Sequence, residues 1–333
     1  MSHANISVFV PHLGCPNQCS FCDQRSITGK VTPTDENDIK AAVETASLTA
    51  DFDSETTELA FFGGSFTAID REYMIRLLKA AYIFVEKKVI KGIRISTRPD
   101  CIDRDVLEVL KDYGVTAIEL GTQSLCDDVL ELNKRGHTAS DVIRACKLIK
   151  EFGFELGLQM MTGLYGSDVE KDRYTAKKII EINPDTVRIY PTITLKNTLL
   201  EKLFRSGNYL PPSLDETVEL CAELKREFEK NGIKVIRVGL HSIDENSFVA
   251  GPWHPAFGEM CASAELLQKA VSKLREKGNY TLFVNSRDVS KMIGQKRKNI
   301  EKLKSMGYIC RVEALDGVTP NEVVARKDGE ICF

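Results

Sequence analysis

Six short apolar runs alternate with longer amphipathic stretches through the first 190 residues, and this alternation constrains the fold more than any other feature. The runs are Ile6–Val10, Glu58–Phe62, Gly92–Thr97, Val115–Leu120, Phe154–Met161 and Thr186–Tyr190. Between them lie helix-period segments at Glu36–Ala50, Arg71–Val89, Arg104–Tyr113, Asp127–Asn133, Ala139–Phe152 and Val169–Ile182. Six β/α units in series without hairpin signals predict an α/β protein with a parallel sheet and helical crossovers. A partial, TIM-like (β/α)6 barrel fits best, with its chemistry at the C-terminal strand ends. A doubly wound sheet has the same element order.

After Pro191 the pattern changes. The loop Tyr209-Leu-Pro-Pro-Ser leads into a helix at Leu214–Asn231 and a strand at Val235–Leu240. A turn-rich segment, Gly251 to Cys261, carries the only tryptophan, Trp253. A final module from about Ser263 reads helix, strand (Tyr280–Asn285), two short helices, strand (Tyr308–Ala314). The expected domains are a barrel over 1–200, a capping extension over 201–262 and a small α+β module over 263–333. A length of 333 residues suits such a division.

Hydrophobic residues make up 43% and charged residues 28%, which excludes wholesale disorder and fibrous classes. No apolar run approaches the ~18 residues needed to cross a bilayer, and the N-terminus lacks a basic n-region. The expectation is a cytoplasmic chain without a membrane partner, whose ten cysteines are reduced. The net charge of −3 is unevenly spread: Arg287 to Arg311 holds eight basic residues against two acidic ones. A basic appendix on an acidic body points to nucleic acid, although a solvated helix face gives the same count.

Three cysteines crowd into Gly14-Cys15-Pro-Asn-Gln-Cys19-Ser-Phe-Cys22, directly after the first strand. Spacings of three and two let one short loop fold its thiolates around a single metal centre. Structural zinc usually takes four closed ligands in paired knuckles. A ferredoxin supplies a fourth cysteine nearby, and here none follows until Cys101. Three thiolates on an iron–sulfur cube would leave one iron open to a non-protein ligand.

With Phe21 before the last cysteine, this spacing resembles the signature of radical S-adenosylmethionine (SAM) enzymes. The resemblance implies a [4Fe–4S] cluster on Cys15, Cys19 and Cys22, with SAM chelated at the open iron. It further implies reductive cleavage of SAM to a 5′-deoxyadenosyl radical, and a flavodoxin- or ferredoxin-type electron donor. Other segments are similar to the family's SAM contacts. Gly63, Gly64 and Ser65 match the Gly-Gly loop at the SAM amino group, where absent Cβ atoms allow close backbone approach. Ser96 matches a ribose contact and Gln123 another polar contact. Arg135 would pair with the SAM carboxylate, for which a guanidinium fork is suited. Gln159 falls at a further ribose position where relatives often carry Asp.

Residues 61–67, 96–100, 119–124, 188–192 and 251–259 look like the branch containing the catalytic subunit of Elongator, which modifies wobble uridines in tRNA. The resemblance covers residues 5–262. That branch uses a longer cysteine-loop spacing and carries an acetyltransferase domain, for which this sequence leaves no room. The final module resembles the β-α-α-β core of a KH domain, whose Gly-x-x-Gly loop clamps a nucleic-acid backbone. Here the loop reads Gly294-Gln295-Lys296-Arg297, with Arg297 in place of the second glycine. Lys291, Lys296, Arg297, Lys298, Lys302 and Lys304 would favour phosphate. The module is either a working RNA-binding unit or a KH-like remnant used for packing or dimerisation.

Stand-alone proteins of this build include queuine lyases, which would break the C–N bond of queuine to give 7-aminomethyl-7-deazaguanine. The sequence expectation leans to this lyase, with a tRNA-modifying enzyme and a porphyrinogen-oxidising relative as alternatives. A non-enzyme reading is an RNA-binding protein with a structural cluster. For the substrate pocket the candidates are Tyr190, His241, Trp253, His254 and Glu259. Aromatic rings suit a purine-like base, and a carboxylate suits its donor edge.

Overall fold

Each of the six predicted strands forms, and all lie parallel in one sheet. The structure is a computed structural model and describes residues 4–10, 19–22, 33–240 and 243–329. Strands β1 (Ala4–Val10), β2 (Thr57–Gly63), β3 (Gly92–Thr97), β4 (Val115–Gln123), β5 (Glu155–Thr162) and β6 (Thr186–Pro191) pair in sequence order. The strand β8 (Lys234–Val238) adds a seventh position beyond β6. Among the described residues β1 and β8 do not pair, so the parallel sheet curls into a half-barrel with two free edges.

The crossover helices are α1 (Glu36–Ser47), α2 (Arg71–Glu86), α3 (Arg104–Asp112), α4 (Asp127–Leu132), α5 (Ala139–Glu151) and α6 (Val169–Ile182). Five begin at a side chain that accepts a first-turn N–H: Asp35, Asp70, Asp103, Thr138 and Asp168. Each such cap satisfies a donor that the helix itself leaves orphaned, so the short strand-to-helix loops have defined exits. On β1, Ile6, Val8 and Val10 join the core beneath the helices, whereas Ser7 and Phe9 face the lumen.

The half-barrel interior is ionic at its base. Arg94 on β3 donates to Glu58 on β2 (2.8 Å), Glu155 on β5 (2.8 Å) and Glu119 on β4 (3.4 Å). Arg188 on β6 grips both Glu119 carboxylate oxygens, at 2.7 and 2.9 Å. Burial works against the Arg94 charge, but Glu58, Glu155 and Glu119 more than offset it and raise its pKa above the usual guanidinium value. Parallel-sheet register brings these residues together across five strands.

Beyond β6 come β7 (Thr194–Leu195), α7 (Leu199–Arg205) and α8 (Leu214–Lys230), then β8 and β9 (Phe248–Ala250), which pairs antiparallel with β7. The final helix before the small module, α9 (Phe257–Lys273), starts six residues before the expected Ser263 and runs through the expected boundary at 262/263. Its first turns (Phe257, Cys261) lie in the barrel core, and Leu266, Leu267 and Ala270 lie in a second core. The segment read as turn-rich up to Cys261 is therefore helical from Phe257, because Phe257 and Cys261, at i and i+4, bury on one helical stripe.

The module holds β10 (Gly278–Val284), α10 (Val289–Ile293), α11 (Lys298–Ser305), β11 (Tyr308–Ala314) and β12 (Val323–Lys327). β10 is central, parallel to β11 and antiparallel to β12. The expected β-α-α-β order is present. Arg297, in the second-glycine position, keeps a left-handed backbone (φ 63°) beside Lys296 (φ 51°). No helix among the described residues is long and apolar enough to cross a membrane.

Candidate active site

The described part of the cysteine loop, residues 19–22, meets the segment after β4 through Asn133 and Arg135, and Phe21 packs near Met161 of β5 and Tyr190 of β6. Cys15 and His241 lie outside the described residues. Cys19 is buried and Cys22 half-buried, with the Cys22 N–H donating to the Cys19 carbonyl (3.2 Å). With Cys15 outside, no group of three metal-binding side chains converges among the described residues.

Arg135 is drawn to this loop. Its Nη1 lies 3.1 Å from Cys19 Sγ, its Nη2 donates to the Gly121 carbonyl (2.7 Å), and its guanidinium sits 6.0 Å from the Phe21 ring centre. Arg98, which the sequence reading did not single out, braces this segment: it pairs with Asp100 (2.9 and 3.0 Å) and donates to the Arg135 carbonyl. Burial, with the Arg135 charge beside it, pulls His137 down to about 4, so its imidazole is neutral at pH 7.

Gly63 closes β2 with φ 118°, and a Cβ there would run into the Val10 carbonyl of β1. Only glycine fits that close approach. Ser65 is buried at the start of the turn that follows. Gln123 ends β4 past a register shift, in a left-handed conformation (φ 64°) that aims it off the strand line.

Five of the buried polar atoms that have no hydrogen-bond partner among the described residues belong to the ends of β3 and β4 and the chain after them. They are Ser96 Oγ, Gln123 Oε1, Arg135 Nε, Arg98 Nη1 and His137 Nδ1. An unpaired buried polar atom costs about 1–3 kcal/mol, so these atoms suit a polar ligand. Amino, carboxylate and ribose groups are such a ligand's chemistry.

Gln159 is tied to the ionic base instead, donating from Nε2 to Glu119 (3.0 Å). Above that base the lumen carries aromatic rings. Phe9 and Phe62 are register partners on β1 and β2, and the Arg188 guanidinium lies 5.6 Å from the Phe62 ring centre. Tyr190, two residues beyond Arg188, packs with Phe21 against Val129, Met161 and Leu164. Arg237 on β8 registers with Arg188 and donates to the Gly239 and Leu240 carbonyls (3.1 and 3.2 Å). Burial, together with the Arg188 charge, lowers its pKa.

Trp253 packs on Phe248 with ring centres 5.7 Å apart, and His254 Nδ1 accepts the Ala256 N–H (3.0 Å). Glu259 is exposed in the first turn of α9. The contacts found for Trp253 and His254 are with their own segment. Phe9, Phe62, Arg188 and Arg237 were missed because their shared surface depends on register between distant strands. The signal present in the sequence was a charged residue between apolar neighbours, as in Ile93-Arg94-Ile95 and Val187-Arg188-Ile189.

A parallel half-barrel with cysteines after its first strand and unpartnered buried polar atoms at and after its β3 and β4 ends suits a class of cofactor-dependent enzymes. Sequence comparison agrees: the radical SAM superfamily pattern matches residues 9–179, and the radical SAM C-terminal domain matches residues 184–268. The chain belongs to the radical SAM superfamily, and within it is similar to the following relatives and solved structure. Its cofactors are accordingly a [4Fe–4S] cluster and SAM.

It is 29% identical to a tRNA uridine(34) acetyltransferase of Dehalococcoides mccartyi over 66% of this chain and 55% of that protein. It is 33% identical to human Elongator complex protein 3 over 51% of this chain and 35% of that one. The solved structure of Methanocaldococcus infernus Elp3 lacking its N-terminus superposes with a TM-score of 0.65 at 25% identity. That match covers 78% of this chain and 62% of the other. The chain thus spans about half, or less, of the length of these curated relatives.

Proposed function

We propose that this radical SAM enzyme acts on a nucleobase held in the half-barrel lumen, and that the base is presented within tRNA. The observation that carries the base is the lumen itself: Phe9, Phe62 and Tyr190 offer ring faces above an ionic base, with Arg237 at one edge. Planar bases stack on such faces for about 1–3 kcal/mol each. The name of the Dehalococcoides mccartyi relative, a tRNA uridine(34) acetyltransferase, favours tRNA as carrier.

In this reading Cys15, Cys19 and Cys22 hold the cluster. Gly63, Gly64, Ser65, Ser96, Gln123 and Arg135 would surround SAM, with Phe21 6.0 Å from the Arg135 guanidinium and Gln159, expected at a ribose position, held by Glu119 at the base of the lumen. When bound, the cluster and SAM would supply the chemistry of hydrogen-atom abstraction, with a flavodoxin- or ferredoxin-type protein as the proposed electron donor. The chain's own residues bind, orient and exclude water. Trp253, His254, Glu259 and His241 belong to the segment assigned to cover the lumen. The division into barrel, extension and KH-like module is part of the same proposal, with α9 as the shared helix.

A second reading, the queuine lyase, is favoured by a specific observation. Three of the six cations expected to grip phosphate have carboxylate partners: Lys298 with Asp215 (2.5 Å), Lys302 with Glu219 and Lys291 with Asp288 (3.0 Å). Of the six, Lys296, Arg297 and Lys304 have no carboxylate partner among the described residues, and a partly paired set suits a module that packs rather than reads.

Incubating reduced protein and SAM with unmodified tRNA or with queuine separates the two. The tRNA reading expects 5′-deoxyadenosine and a new nucleoside with tRNA, falling steeply with added salt through counterion release. Turnover of queuine, unaffected by Lys296→Ala and Arg297→Ala and absent with tRNA, would replace it with the lyase.

A further inference from the structure

We propose that Asn133 is a positioning residue for the cluster, acting through Ser20 in the middle of the cysteine loop. The inference rests on the assignment of Cys15, Cys19 and Cys22 as cluster ligands.

Ser20 is fully buried between two of those cysteines, and each of its polar groups is committed to another part of the chain. Its N–H donates to the Asn133 carbonyl (3.1 Å) and its hydroxyl to Asn133 Oδ1 (2.6 Å). Its carbonyl accepts the Leu200 N–H (2.8 Å), one of the first-turn donors that α7 leaves unpaired. Asn133 is itself fully buried, and its amide nitrogen donates to the Val129 and Tyr165 carbonyls, both at 2.8 Å. Two carbonyl partners fix which end of the amide is nitrogen, so Oδ1 must face Ser20.

The side chain is therefore a three-way tie between the cysteine loop, the end of α4 and the loop after β5. Two residues on, Arg135 reaches Cys19 Sγ from the same segment. One short stretch thus holds the loop at position 20 and the ligand atom at position 19. Asparagine alone meets the requirement at this length. Aspartate keeps the acceptor for Ser20 but turns carboxylate oxygens toward two carbonyls, and alanine drops all three bonds. Residues that orient metal ligands without touching the metal typically change affinity by about 10–100-fold when replaced.

The test compares wild type with Asn133→Ala, Asn133→Asp and Ser20→Ala after anaerobic reconstitution. Iron release to a ferrous chelator and the electron paramagnetic resonance spectrum of the dithionite-reduced cluster are followed. Val284→Ala, in the core of the small module, serves as a destabilised control. Both Asn133 variants should release iron about tenfold faster or more, with altered g-values, and Ser20→Ala should move in the same direction by less. The control should release iron at the wild-type rate. If the Asn133 variants do not fold, Ser20→Ala decides alone. Wild-type iron release and spectrum in Ser20→Ala, or Asn133 variants no different from the control, would overturn the proposal. Iron retained when all three cysteines are replaced by alanine would instead remove the assignment beneath it.

Discussion

Replacing Cys15, Cys19 and Cys22 together by alanine should leave the chain without iron after anaerobic reconstitution, against about four irons per chain in the wild type. The expectation follows from ligand chemistry. Cysteine thiolates hold such a cluster, Cys15, Cys19 and Cys22 fall within eight residues of sequence, and the Arg135 guanidinium lies 3.1 Å from Cys19 Sγ. Two deeply buried thiols are no substitute. Burial pushes Cys146 and Cys221 up to about 12, so both stay protonated at neutral pH and are inert. Cys146→Ala and Cys221→Ala should therefore keep full iron. Iron bound by the triple variant, or lost on replacing Cys146 or Cys221, would remove the loop from its assigned role.

The second large effect is on stability. Glu119→Ala should lower unfolding free energy by about 3–5 kcal/mol, the range for stripping one partner from a buried ionic network. Glu119 is almost completely buried and receives two bonds from Arg188, one from Arg94 and one from Gln159. Without it Arg94 keeps Glu58 and Glu155, but the Arg188 guanidinium loses its only carboxylate partner among the described residues. Denaturant midpoints measure the loss, and Glu119→Gln should lose less because it retains an acceptor. A change under about 1 kcal/mol in Glu119→Ala, as for a surface pair, would show that the ionic base is solvated.

Element positions were legible because local signals agreed. Gly92–Thr97, Val169–Ile182 and Tyr308–Ala314 match the expected ranges residue for residue. An apolar run or stripe lies between clear punctuation in each. The seven-residue helix Leu199–Arg205 and the strand Val323–Lys327 were missed. The first is too short for periodicity, and the second ends in Arg326 and Lys327.

The candidate site divides in the same way. Cysteine spacing and the Gly-Gly turn are short-range patterns, so sequence carries them whole. Arg135 was placed at the site from sequence, but its approach to Cys19 was not foreseen. That contact depends on how residues 133–137 fold back across 116 positions of chain. The ionic base is longer-ranged still, since Glu58, Arg94, Glu119, Glu155 and Arg188 meet only once five strands are in register. The Ser20–Asn133 tie likewise spans 113 positions and leaves no local trace.

The most direct test of the account is reductive SAM cleavage by the reconstituted protein without any substrate. Purified anaerobically, given iron and sulfide, then reduced with dithionite in the presence of SAM, the wild type should release 5′-deoxyadenosine and methionine in equal amounts. The variant lacking Cys15, Cys19 and Cys22 should release neither. Stoichiometric zinc in place of iron, or a reduced cluster that leaves SAM intact, would contradict the account at its centre.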